Sequence, residues 1–151
     1  MATSPASSEA RVRLARESDA AQIADLAGQL GYPSTTDDIL RRMRSLHPPS
    51  QHAVFVAVSP AGEVVGWGHV SVSHLIENDL RAELNGLIVA EGQRSLGAGR
   101  KLLEQAERWA RERGCKALNL RSNVVRSRAH QFYERQGYEH YKTQKAFRKT
   151  L

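Results

Sequence analysis

One cysteine stands in the 151 residues, Cys115, so no internal disulfide can form. A lone thiol fits a reducing cytoplasm, which is the expected location. Placed between a helix end and a strand, Cys115 reads as a small core residue rather than a nucleophile. No apolar run approaches the roughly 20 residues of a membrane helix, so no membrane partner is expected. The opening MATSPASSEA has neither the basic segment nor the apolar stretch of a signal peptide. Residues 1–10 read as a disordered tail. Gly-Lys occurs nowhere, which removes the Walker A phosphate loop. Aromatics make up only 6% and form no interleaved basic–aromatic repeat, which argues against nucleic acid as a partner. His69 and His74 have no metal-like spacing to a carboxylate or thiol, so no metal is expected.

Charge is present, and it is unevenly placed. Residues 1–90 hold seven Lys+Arg against ten Asp+Glu, a net −3; residues 91–151 hold fifteen against six, a net +9. The basic half suits an anionic partner such as a phosphorylated cofactor, or is simply a solvated surface. That half opens with EGQRSLGAGRKLLEQAERWA, from Glu91 to Ala110.

Periodicity predicts a short strand at Arg11–Ala15, then a helix capped by Ser18 and running to Leu30. Thr36 is the expected cap of a second helix, which ends before Pro48-Pro49. Strands follow at 53–58, 64–73 and 83–90, then a long helix from about Ala98 to Arg113, a strand at 117–122 and a helix to Arg135. Tyr138–Tyr141 and Lys145–Thr150 are expected to form a last hairpin. The predicted order is β-α-α-β-β-β-α-β-α-β-β. It describes an α/β (α+β) domain with one mixed sheet of about seven strands and four flanking helices.

The long helix carries Leu102, Leu103, Ala106, Trp109 and Ala110 on one stripe. Its entrance carries two glycines, each costing up to about 1 kcal/mol against Ala. The first-turn N–H groups lack intrahelical partners and sit at the positive end of the helix dipole. Stripping the side chains there lets a phosphate reach those groups. The alternative is a flexible turn before the helix.

Arg94-Ser-Leu-Gly97-Ala-Gly99 resembles the R-x-x-G-x-G coenzyme A motif of the GNAT superfamily of N-acetyltransferases. Leu87, Ile88 and Val89 precede it as that superfamily's strand end does. AHQFYERQGY (129–138) is similar to its A-x-x-F-Y-E-x-x-G-Y/F helix, and Arg11–Leu30 to its first strand and helix. Ser95 stands where Gly is usual, and Arg126 where many members carry Asn. The resemblance implies that residues 11–151 are one acetyltransferase domain that uses acetyl-CoA.

The resemblance also implies roles. Arg94 and the amides of Ser95, Leu96, Gly97, Ala98, Gly99 and Arg100 would hold the diphosphate. Leu87, Ile88 and Val89 would bond the pantetheine arm and thioester where their strand parts from the next. Glu83 lies fourteen residues before Gly97, where histone-type relatives carry their catalytic Glu, and would act as base. The other reading of Glu83 is a solvated strand-end carboxylate. Strand alternation would put Glu83, Asn85, Leu87 and Val89 on one face. Tyr133 is the family's usual acid for the leaving thiolate, or else a ring packed beside Phe132. Asn123 would touch the cofactor or form a turn. His130 reads as a packing or surface residue.

The expected reaction moves the acetyl group of acetyl-CoA to a primary amine of a small molecule. The segment from Ser122 to Tyr138 most resembles small-molecule members, particularly aminoalkylphosphonate acetyltransferases. Two alternatives remain: a protein lysine or N-terminal acetyltransferase, and a non-enzymatic basic module that senses acyl-CoA or binds nucleic acid. Superfamily members are often homodimers, which makes a homodimer possible here.

Overall fold

The computed structural model describes residues 9–29, 31–93 and 96–151. These form two compact units, one up to Leu120 and one from Arg121 to Leu151. The first unit holds strands β1 (Arg11–Leu14), β2 (His52–Val58), β3 (Val64–Ser73), β4 (Arg81–Val89) and β5 (Leu118–Leu120). Its helices are α1 (Ala20–Gln29), α2 (Thr36–Arg44) and α3 (Ala98–Glu112). Helix α4 (Ser127–Arg135) belongs to the second unit.

The five strands make one sheet in the order β1-β2-β3-β4-β5. The first four run antiparallel, and β5 runs parallel to β4. A parallel pair needs a crossover, and α3 supplies it. The sheet therefore has five strands, not the seven expected, and the predicted order stops at α4. No strand is formed from Tyr138 onward, so the last hairpin is absent. The physical reason is local. No Gly or Asn-Gly pair offers a tight turn between Tyr141 and Lys145. Lys142, Lys145, Arg148 and Lys149 leave no apolar face to bury, and every residue from Glu139 to Leu151 is exposed.

Both helix caps differ from expectation. A 3-10 turn at Glu17–Asp19 precedes α1, so Ser18 lies inside a turn rather than capping the helix. Thr35, not Thr36, caps α2. Its hydroxyl accepts from Asp38 N–H at 3.0 Å, and Asp38 accepts from Thr35 N–H at 3.1 Å. The reciprocal pair needs the acid three residues on, which only Thr35 has. Leu30, expected on the α1 face, lies outside the described residues.

Two layers of helix enclose the sheet. On one face, Leu102 of α3 reaches β3: a Cβ built on Gly66 would lie 3.2 Å from it and 2.8 Å from the Ile88 carbonyl oxygen. The predicted stripe Leu102, Leu103, Ala106, Trp109 and Ala110 is buried throughout. On the other face, Ala20, Ile23 and Ala24 of α1 and Ile39 of α2 pack with Val56, Val58, Val64 and Trp67.

One buried ion pair holds the start of α1. Asp19 is 5% exposed and takes two bonds from the Arg13 guanidinium, at 2.8 and 2.9 Å. The Arg16 N–H adds a third at 2.7 Å. The Arg13 guanidinium, helped by the Arg16 amide, holds the carboxyl below its ordinary value against the opposing effect of burial. A lowered folded value means stability that is present above the ordinary 3.8 and lost as pH falls through the folded value. Asp19→Asn is expected to cost about 2–3 kcal/mol at neutral pH, because it leaves Arg13 without its counter-charge. Urea melts across the acid range check this: the variant's stability falls less below the ordinary Asp range than the wild type's.

Candidate active site

Helix α3 starts on a glycine with a left-handed backbone. Gly97 is its N-cap residue, at φ +69° and ψ +16°, a conformation that favours Gly over any β-branched residue. The first helical bond runs from Lys101 N–H to the Gly97 carbonyl at 3.0 Å. The amides of Ala98, Gly99 and Arg100 therefore have no acceptor within the helix. Among the described residues, a Cβ on Gly97 would meet only Arg100 Nη2 at 3.5 Å and Glu9 Oε1 at 3.9 Å.

The surroundings of this entrance are charged. Lys101 Nζ lies 2.8 Å from Glu9, and Arg100 lies 3.0 Å from Glu104 and 3.6 Å from Glu9. Lys101 also donates to the Ala10 carbonyl at 2.8 Å, and Ala10 N–H donates to the Leu96 carbonyl at 3.1 Å. Ala10 is fully buried, so packing begins inside the segment expected to be a tail. Arg94 and Ser95 lie outside the described residues.

Strand β4 carries the next group. It pairs with β5 only over Ala82–Leu84 and then runs on to Val89 with β3 alone as its neighbour. The two strands part after Leu84, as the resemblance implied. A bulge beside His69 and Val70 shifts the β3–β4 register at this point: Ser71 faces Glu83, but His69 faces Gly86. The bulge inverts the alternation that the sequence suggested. Leu87 and Val89 lie opposite Gly68 and Gly66 on the α3 face, whereas Glu83, Gly86 and Ile88 lie on the α1 and α2 face. Expecting Glu83, Leu87 and Val89 on one face was therefore wrong, because one extra residue flips every later side chain.

The inversion also aims the backbone. Ala90 N–H bonds the Val65 carbonyl of β3 at 2.8 Å. Strand alternation then turns the N–H of Ile88 toward β3 and those of Leu87 and Val89 toward the open side where β5 has left. Of the three amides expected at the thioester, these two face the gap.

The face shared by Glu83 changes character along its length. Its apolar cluster stops at Trp67. Beyond that, apart from Val54 of β2 opposite His69, the row becomes polar: His69 and Ser71 on β3, His52 opposite Ser71 on β2, and Glu83 opposite Ser71 on β4. The Glu83 side chain is 16% exposed and lies 3.5 Å from Arg81 Nε. Asn85, at the bulge, donates to Ser71 Oγ at 2.8 Å. Sequence reasoning passed over His52 and took His69 only as a failed metal ligand. A glycine inside a strand, Gly86, was the available sign of the bulge. A Cβ on it would lie 3.1 Å from the Trp67 ring.

The Arg121–Leu151 unit holds the other two candidates. Tyr133 is half-buried on α4, with Phe132 and Tyr138 at ring distances of 5.3 and 6.0 Å. Burial pushes its phenol above the ordinary value, only partly opposed by the Arg126 charge, so it keeps its proton. Asn123 forms a turn: its Oδ1 accepts from Val125 N–H at 3.2 Å, and its carbonyl faces a His130 ring nitrogen at 2.9 Å. His130 is thus a partner of that turn. In the first unit, burial raises the Cys115 thiol, which keeps it from being a ready thiolate. No helix among the described residues is long and apolar enough to cross a membrane.

Known proteins share these features. The family model described as "Acetyltransferase (GNAT) family" matches residues 19–138. An aminoglycoside N(6')-acetyltransferase type 1 of Stenotrophomonas maltophilia is 32% identical over 132 residues, 85% of each chain. An aminoalkylphosphonate N-acetyltransferase of Salmonella typhimurium is 36% identical over 88 residues, 56% of this chain and 57% of that protein. A solved aminoglycoside N-acetyltransferase in complex with CoA superimposes with a TM-score of 0.83 at 19% identity, covering 99% of this chain and 100% of that one. The glycine-stripped entrance to α3, the strand that leaves its neighbour and the matched model agree: this chain belongs to the acetyltransferase (GNAT) family, acyltransferases that use acetyl-CoA.

Proposed function

We propose that this enzyme transfers the acetyl group of acetyl-CoA to a primary amine of a small molecule. The observation that carries the reading is the parting of β4 from β5 after Leu84, with Glu83 at the fork. The names of the two curated relatives, one acting on aminoglycosides and one on aminoalkylphosphonates, support a small acceptor.

Bound acetyl-CoA supplies the activated acyl group, a thioester. At α3, the amides from Gly97 to Arg100, with Arg94, Ser95 and Leu96 before them, hold the diphosphate. The bare Gly97 lets it approach, and unbonded first-turn N–H groups favour an anion. In the fork, the Leu87 and Val89 amides, with Ile88 between them, align the pantetheine arm and stabilise negative charge on the carbonyl oxygen. One such donor is worth about 3–4 kcal/mol. Glu83 takes a proton from the acceptor ammonium, directly or through water. The need is real: an amine of pKa near 10.4 is neutral in only about one molecule per thousand at pH 7. Tyr133 gives its proton to the departing thiolate.

The first test is melting with and without acetyl-CoA. Ligand at about 100 times its Kd adds roughly 2.7 kcal/mol, or about 5–10 °C for a domain of this size. A shift of that order, absent with inorganic phosphate, is expected. No shift at millimolar acetyl-CoA overturns the placement. Thiol release is then measured on a panel of aminosugars, aminoalkylphosphonates and lysine peptides. Release with the small amines alone is expected; release with the peptides alone makes the acceptor a protein amine.

A further inference from the structure

Two imidazoles on the Glu83 face are unclaimed by this mechanism. His52 opens β2 and His69 lies in β3, on the same face and diagonal to it. His52 Nδ1 and His69 Nε2 are 3.1 Å apart, and the rings stack with centroids at 5.4 Å. Burial, then the neighbouring His52, lowers His69 to about 4, so its ring is neutral at physiological pH. A neutral ring puts no like charge against an incoming ammonium. One nitrogen of the close pair must carry the shared proton and the other must accept it. The second ring nitrogen of His69, Nδ1, has no bond among the described residues.

From β2, Val54 lies directly opposite His69 and His52 on the diagonal. From β4 come Gly86 directly opposite and the Arg81–Glu83 pair farther along. On β3 itself, Trp67 and Ser71 flank it. The α1 and α2 residues packed on this face are apolar: Ile23, Ala24, Ile39, Leu40 and Met43.

We propose that His52 and His69 form an amine-recognition pair: His69 Nδ1 accepts a hydrogen bond from the acceptor's amino group, and His52 fixes the tautomer that lets it do so. This rests on the acetyl-transfer reading above. His69 Nε2–H donates to His52 Nδ1, so the single proton of the neutral His69 ring sits on Nε2 and Nδ1 offers a lone pair. His69 binds; His52 positions.

The experiment is steady-state kinetics with the best small amine of the panel. His69→Phe is expected to raise the amine KM about tenfold, with acetyl-CoA affinity unchanged. His69→Asn, whose amide oxygen can stand near Nδ1, is expected to restore most of the amine KM. His52→Phe keeps a ring beside His69 but offers no acceptor to Nε2–H, and is expected to raise the amine KM about three- to tenfold while kcat and acetyl-CoA affinity hold. Should His69→Phe fail to fold, His52→Phe and His69→Asn still decide the matter. Variants that turn over with wild-type amine KM overturn this proposal alone. A wild type that binds acetyl-CoA but releases no thiol with any amine overturns the acetyl-transfer reading as well.

Discussion

Glu83→Gln is expected to lower kcat by about 10²–10⁴ while leaving the acetyl-CoA dissociation constant unchanged. Glutamine keeps the shape and the acceptor oxygen but cannot take a proton. The loss therefore falls on the step that makes the amine nucleophilic, and it should shrink at alkaline pH, where more of the amine is already neutral. The variant has a structural cost that must be separated. Arg81 Nε is buried, has no hydrogen-bond partner among the described residues, and pairs with the Glu83 carboxylate at 3.5 Å. Neutralising Glu83 leaves that guanidinium without its counter-charge, so a lower melting temperature is also expected. Kinetics are therefore run well below the variant's melt, with acetyl-CoA titrated by calorimetry. Turnover equal to wild type from about pH 6 to 9 would remove Glu83 as the base. Reduced turnover with equally reduced acetyl-CoA affinity would mean that Glu83 shapes the fork rather than moving a proton.

What the residues disclosed on their own divides along a physical line. Helix α3 was legible because its stripe is local: every apolar position predicted to face inward is buried. Its glycine entrance was legible because a left-handed N-cap leaves few other choices of residue. The cap of α2 was legible in principle, since only Thr35 has an acid three residues on. The bulge at Asn85 was not read, because it arises from the pairing of β4 with a partner more than ten residues earlier. Its consequence reaches the site: it sends Leu87 and Val89 to the α3 face and turns their amides to the gap. The His52–His69 pair was hidden for the same reason. Seventeen residues separate the two rings, and only the β2–β3 register brings them together. The final hairpin failed in the opposite direction. It was expected, but turn chemistry and an apolar face were missing.

Gly97→Val is expected to weaken acetyl-CoA binding by about 10- to 100-fold, the loss of one or two charge-assisted hydrogen bonds. Two effects must be kept apart. The first is backbone strain. At φ +69° a β-branched residue is disfavoured, and holding it there costs about 1–3 kcal/mol of stability. The second is steric. Among the described residues a Cβ at Gly97 meets no backbone atom, its nearest neighbour being the Arg100 guanidinium at 3.5 Å. The added methyls therefore project into the space where the diphosphate is proposed to lie. Gly97→Asn separates the two, since Asn tolerates the left-handed region better than Val but still fills that space. Both variants should lose affinity, and Asn should lose less stability. Calorimetric titration below the melt gives the affinity, and denaturant unfolding gives the stability. A folded Gly97→Val or Gly97→Asn enzyme that binds acetyl-CoA as the wild type does would move the diphosphate away from the α3 entrance. The energetic cost of a glycine at that N-cap would then be a matter of the helix turn alone.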